Sequence, residues 1–197
     1  MSKKLYVVAS VCAACVGGYV LVNHYQNSRW LAKTDSGIYK PYILGTKIGF
    51  KTGENSTNFV KAKDGWGAPS DNFTFTIGRD TTMNLFIKNG VNENLRVDLV
   101  GFGLYPKDKE YQEMDVYANG TKITTMHMSE KQEYTIRIPA SVMQTEELSL
   151  KFHFDKPYKS KKHKNIVFGI SVEEITVKKD YLIETKRSIH NWLKKQQ

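Results

Sequence analysis

The sequence predicts an all-β protein: an antiparallel β-sandwich of jelly-roll type, behind a single N-terminal transmembrane helix and ahead of a short C-terminal amphipathic helix. Three observations lead there. From Ile43 onward apolar residues recur at period two, the period of strands with one buried and one wet face. An Asn-Gly pair at 119–120 sits between two such runs. No helical stretch long enough to cross over separates the runs, which disfavours parallel βαβ units.

The chain divides into residues 1–22 as a signal anchor, 23–42 as a spacer, 43–178 as the sandwich and 179–197 as a basic tail. Leu5–Val22 holds no charged residue. As a helix it covers about 27 Å, close to the roughly 30 Å hydrocarbon core of a bilayer. Lys3 and Lys4 precede it, and Tyr25 and Trp30 follow at the depth where aromatic rings favour an interface. An uncleaved anchor is expected, N-terminus inside. Cleavage after Ala13 or Ala14 and lipidation at Cys15 are the alternatives. The expected address is the inner (cytoplasmic) membrane, single-pass, with the soluble domain on the periplasmic side.

Asn23–Tyr42 is polar and mixed, and reads as a spacer. Weak strands are expected at Lys47–Lys51 and Thr57–Lys61. Stronger ones follow: Phe73, Phe75 and Ile77 against Asn72, Thr74 and Thr76; Met83, Leu85 and Ile87; Leu95, Val97 and Leu99 against Arg96 and Asp98. Met114–Ala118 and Thr121–His127 flank Asn119-Gly120, whose tolerance of positive φ suits a two-residue type I′ hairpin turn. Tyr134, Ile136 and Ile138 form the next strand, and Pro139–Thr145 is expected as a single helical turn. Leu148, Leu150, Phe152 and Phe154 alternate with Ser149, Lys151, His153 and Asp155 in the strongest strand. In Ile166–Val177 the apolar parity slips by one residue, which requires a bulge near Glu173–Glu174. About ten strands result. In the tail, Leu182, Ile189, Trp192 and Leu193 fall near one helical face, and Lys186, Arg187, Trp192, Lys194 and Lys195 are the expected membrane-surface contacts.

Composition limits the chemistry. Both cysteines, Cys12 and Cys15, lie in the apolar span, so the soluble part has no disulfide and no thiolate for zinc. The five histidines form no HxH or HExxH pair, and no phosphate-binding glycine loop, GxSxG or calcium loop occurs. No metal, cofactor or catalytic residue is expected. Glu146–Glu147 and Glu173–Glu174 are adjacent residues on opposite strand faces, unlike the facing carboxyls of a glycosidase. The net charge of +9 is concentrated in Lys156–Lys164 and Lys178–Lys195. For an exported domain, membrane lipid or an acidic glycan fits this better than nucleic acid, and solvated loops account for it equally well. Gly65-Trp66-Gly67-Ala68-Pro69 admits two readings. Trp66 can offer a flat platform to a sugar ring, with Asn72 and Arg79 as polar contacts, or it can close one end of the sandwich.

Several short motifs carry a resemblance: Phe50, Gly65-Trp66, Pro69, Phe73–Gly78, Val116–Gly120, Ile136–Pro139, Leu148–Phe152 and Phe168–Val172. In this order they resemble the carbohydrate-binding-like β-sandwich found at the C-terminus of bacterial membrane sugar and phosphoglycerol transferases. The resemblance covers roughly Phe50–Val177. It implies a non-catalytic accessory of cell-envelope polysaccharide synthesis or modification that binds glycan or a glycan-lipid precursor. The alternative is a structural adaptor docking on an integral-membrane glycosyltransferase-type partner through the sandwich and basic tail.

Overall fold

The computed structural model describes residues 41–88, 90–160 and 166–181. The apolar span Leu5–Val22 and the tail contacts Lys186, Arg187, Trp192, Lys194 and Lys195 lie outside the described residues. Among those described, no helix is long and apolar enough to cross a membrane.

Two sheets enclose one apolar core. The first orders β1 (Pro41–Tyr42), β4 (Asp80–Ile87), β9 (Glu147–His153), β6 (Gln112–Ala118) and β7 (Thr121–Met128). The second is built on β11 (Val167–Lys179). β2 (Lys47–Gly49) and β3 (Thr74–Ile77) pair along one side of it, β5 (Leu95–Gly103) and β10 (Tyr158–Lys159) along the other. β8 (Gln132–Ile138) pairs outside β5. All pairings between these strands are antiparallel except the two-residue edge contact of β1 with β4, and one isolated bridge, Lys51 to Ser70, is also parallel. Without the short strands β1, β2 and β10, the orders β4-β9-β6-β7 and β3-β11-β5-β8 are the two four-stranded sheets of a jelly roll.

Alternation explains most of the core. Leu148, Leu150 and Phe152 of β9 meet Leu85, Met83 and Thr81 of β4 in register, and all six side chains are buried. Each large apolar side chain buried this way contributes about 1.5–3 kcal/mol. Asn119 (φ 47°) and Gly120 (φ 81°) form the expected tight turn between β6 and β7. The Asn119 side chain accepts from Ser149 N and donates to Val142 O and Glu147 O, tying the turn to its neighbour. The helical turn expected at Pro139–Thr145 is a 3-10 turn at Ala140–Val142.

β11 needs its parity change. The ladder with β5 skips from Val172↔Gly101 to Glu174↔Val100, leaving Glu173 as the bulged residue, held by Lys131 Nζ at 2.7 Å. Ile170, Val172, Ile175 and Val177 are therefore all buried.

Three expectations are corrected. Pro41 and Tyr42 belong to the fold and not to the spacer. The Tyr42 hydroxyl donates to Thr46 O and accepts from Val177 N at 2.8 Å, so an edge residue of one sheet is bonded to the central strand of the other. Thr57–Lys61 is no strand. Thr57 and Asn58 belong to a 3-10 turn at Ser56–Asn58, a second turn follows at Ala62–Asp64, and the consecutive residues Phe59 and Val60 between them are both buried, unlike the alternation of a strand with one wet face. Asn55 anchors this detour by accepting from Gly49 N and donating to Lys47 O. Third, β3 presents the opposite face. Thr74 and Thr76 point inward and are buried, whereas Phe73, Phe75 and Ile77 face outward. The inward hydroxyls are satisfied: Thr74 Oγ1 donates to Phe50 O at 2.7 Å, and Thr76 Oγ1 accepts from Ile170 N at 2.9 Å.

Candidate functional site

At one end of the sandwich the loop after β5 and the segment before β10 rise on either side of a cleft of about 720 Å³. Its walls carry three tyrosines, Tyr105, Tyr111 and Tyr158, with Pro106 and Pro157 beside two of them. Such a volume falls within the roughly 300–1,000 Å³ usual for small-ligand sites.

Local chemistry fixes both walls. Pro106–Lys109 is a turn closed by Lys109 N donating to Pro106 O. Gly103 lets β5 pass against the end of β7, since a Cβ there would lie 2.0 Å from Met128 O. Gln112, 3% exposed, ties the walls together by donating from Nε2 to Glu113 O at 2.9 Å and to Lys156 O at 3.3 Å. Tyr111 is 41% exposed, and one face of its ring is stacked on His127, with centroids 4.0 Å apart and planes 16° apart. His127 Nε2 lies 3.5 Å from Glu113 Oε2.

The polar lining is mixed. Asp108, Glu110, Glu113 and Asp155 face Lys109, Lys156 and Lys159. Four carboxylates against three ammonium groups leave no excess positive charge, unlike the chain as a whole at +9. The basic run from Lys156 thus begins, in its described part, among acids.

The residues singled out from sequence do not assemble here. Trp66 is 1% exposed. Its ring stacks on Phe50 with centroids 4.8 Å apart and meets Phe152 edge-on, and its Nε1 donates to Thr82 O at 2.7 Å. The platform reading of Trp66 is overturned: the indole closes the sandwich because Gly65 (φ 87°) turns the chain over the core and the Thr82 carbonyl satisfies the indole N–H. Asn72 and Arg79 are exposed, but they flank opposite ends of β3. Arg79 contributes a backbone carbonyl to Phe154 N. Glu173 and Glu174, set aside as catalytic, are engaged with Lys131 and Lys47.

Sequence reasoning missed the tyrosine cleft, although one signal was present: Tyr105-Pro106 and Pro157-Tyr158 are aromatics outside any alternating run. It also missed the apolar outer face. Phe73 lies 4.7 Å from Phe75 and 5.5 Å from Phe102, and Phe75 lies 5.4 Å from Phe168, centroid to centroid. These rings cover Ser171, which is fully buried with no hydrogen-bond partner for Oγ.

The other end of this outer face is ionic. Asp98, 3% exposed, receives Lys178 Nζ at 2.7 Å, Arg96 Nη2 at 3.0 Å and Thr135 Oγ1 at 3.1 Å. Burial alone would raise its carboxyl pKa. The three donors outweigh burial and hold it below the usual carboxylate value.

No family model and no curated protein matches the sequence. Among solved structures, the CBM36-1 domain of a multidomain xylanase from the hindgut metagenome of Trinervitermes trinervoides aligns with TM-score 0.40 and 12% identity, over 67% of this chain and 94% of that one. The carbohydrate-binding module CBM36 in complex with calcium and xylotriose aligns with TM-score 0.40 and 11% identity, over 67% and 98%. The insecticidal delta-endotoxin Cry8Ea1 from Bacillus thuringiensis aligns with TM-score 0.37 and 11% identity; the match covers 53% of this chain and 18% of the toxin. The sandwich itself is defined by this chain's own strand order.

Proposed function

We propose that this protein is a non-catalytic glycan-binding module, and that the cleft of Tyr105, Tyr111 and Tyr158 takes the saccharide. The cleft is the observation that carries the reading. Flat tyrosine faces suit the C–H faces of pyranose rings, and carboxylates and ammonium groups of both signs can bond the hydroxyls. The near balance of charge favours a neutral sugar over a phosphate or a uronate. The apolar span Leu5–Val22 and the transferase resemblance support a wider setting: display from the inner membrane into the periplasm, as an accessory of envelope polysaccharide synthesis or modification.

The test is titration of the full chain in detergent against neutral oligosaccharides, by calorimetry. Tyr111→Ala should weaken binding about tenfold, the loss of one aromatic stacking contact of roughly 1.4 kcal/mol. Unchanged affinity in that variant, or no binding to any neutral saccharide, refutes the assignment.

A further inference from the structure

Resting on that reading, we infer that the ligand is an extended chain of several sugars, and that it leaves the cleft along the outward phenylalanine face of the second sheet. Cleft and face are joined in register. Tyr158, which lines the cleft, is the cross-strand partner of Phe168, and Phe168 in turn pairs with Ile77. Three residues further along β11, Ser171 pairs with Phe75 on one side and Phe102 on the other. Residues directly opposite in a ladder share a face, so Tyr158, Phe168, Ile77, Phe75 and Phe102 form one continuous outer surface.

The face runs against the usual alternation. β3 places Thr74 and Thr76 in the core and Phe75 and Ile77 outside, with Phe73 just before the strand beside them. Exchanging the two sets would bury more apolar area at about 25 cal/mol per Å², so stability alone does not favour the arrangement. A second bulge in β11 supports it: between Phe168 and Ser171 the ladder with β3 advances three residues on one strand and two on the other. That shift turns Phe168 outward beside Phe75, although Ile170, two residues on and so on the same face of a regular strand, points into the core. Buried Ser171 shows that the rings close over the sheet without a gap for water. A row of edge-contacting rings leading out of a saccharide cleft is a surface for further sugar rings, which stack without demanding specific hydroxyl contacts.

The test is the dependence of affinity on ligand length. The full chain in detergent is titrated with β-1,4-linked cello-, xylo-, manno- and N-acetylchito-oligosaccharides of two to six residues. Expected is an affinity that rises at least tenfold between the shortest and longest members of the series that binds. In the double variant Phe75→Ser, Phe102→Ser the rise should vanish while the shortest bound member keeps its affinity. Both side chains are half-buried, so its melting midpoint should fall, but its circular dichroism should remain that of wild type at the titration temperature. A flat length series, with binding still abolished by Tyr111→Ala, overturns the track and leaves the cleft standing. Absence of any binding overturns both. If the double variant instead converts a dimer to a monomer in sedimentation and leaves the length series intact, the face is a self-association surface and the inference falls. An unaltered length series with unaltered sedimentation also refutes it.

Discussion

Trp66→Ala separates a core tryptophan from a ligand platform. The indole is 1% exposed, stacks on Phe50, meets Phe152 and donates to Thr82 O. Truncating a fully buried Trp costs about 3–5 kcal/mol, of which roughly 1 kcal/mol belongs to the lost hydrogen bond. Against a typical domain stability of roughly 5–15 kcal/mol this is about a fifth or more of the total. The melting midpoint should fall by roughly 10–20 °C. Trp66→Phe keeps most of the stacking and loses the N–H, so it should cost about 1–2 kcal/mol. The assay is urea denaturation of the full chain in detergent, followed by far-ultraviolet dichroism. The slope should be unchanged and the midpoint shifted. Loss of saccharide binding by Trp66→Ala with no change in midpoint would refute the argument and restore the platform reading.

The other expectations are more local. Asp98→Asn should destabilise by roughly 2–3 kcal/mol, less than the loss of a fully buried pair because Arg96 and Lys178 stay partly exposed. The folded Asp98 pKa lies below its unfolded value. Its contribution is therefore complete above about pH 4, the unfolded value, and is lost as pH falls through the folded one. Wild type should lose stability over that acidic window while Asp98→Asn lacks this component, and parallel pH curves from denaturant titrations would refute the assignment. Gly103→Ala should cost more than about 2 kcal/mol, since its Cβ would meet Met128 O at 2.0 Å. Gly120→Ala, with open space around it but φ at 81°, should cost only about 1 kcal/mol. Equal midpoints for these two variants would show that β5 and β7 are not packed as described.

What could be read from the sequence follows from what periodicity can and cannot carry. The strands β4, β9 and β8, the Asn119-Gly120 turn and the bulge at Glu173 were legible because each leaves its mark within a few adjacent residues. The direction of β3 was not. Alternation says that two faces differ, and which of them is buried depends on partners elsewhere, here the Phe50 carbonyl and the Ile170 amide that satisfy Thr74 and Thr76. Trp66 had no periodic neighbours to orient it. The cleft was hidden by distance, because its walls lie about fifty residues apart in sequence and meet through the single buried side chain of Gln112.

The place of β11 in the chain has a kinetic consequence. It follows every other described strand, yet β2, β3 and β10 depend on it for their ladders, and β5, paired with β8 on one edge, depends on it for the other. During synthesis, β4, β9, β6 and β7 can close their sheet first, while β3 and β5 wait with open edges and outward phenylalanines. Non-local pairing of this kind folds slowly, and the waiting edges are open to pairing with other chains. Release from the ribosome before β11 is complete would leave half a sandwich exposed to aggregation.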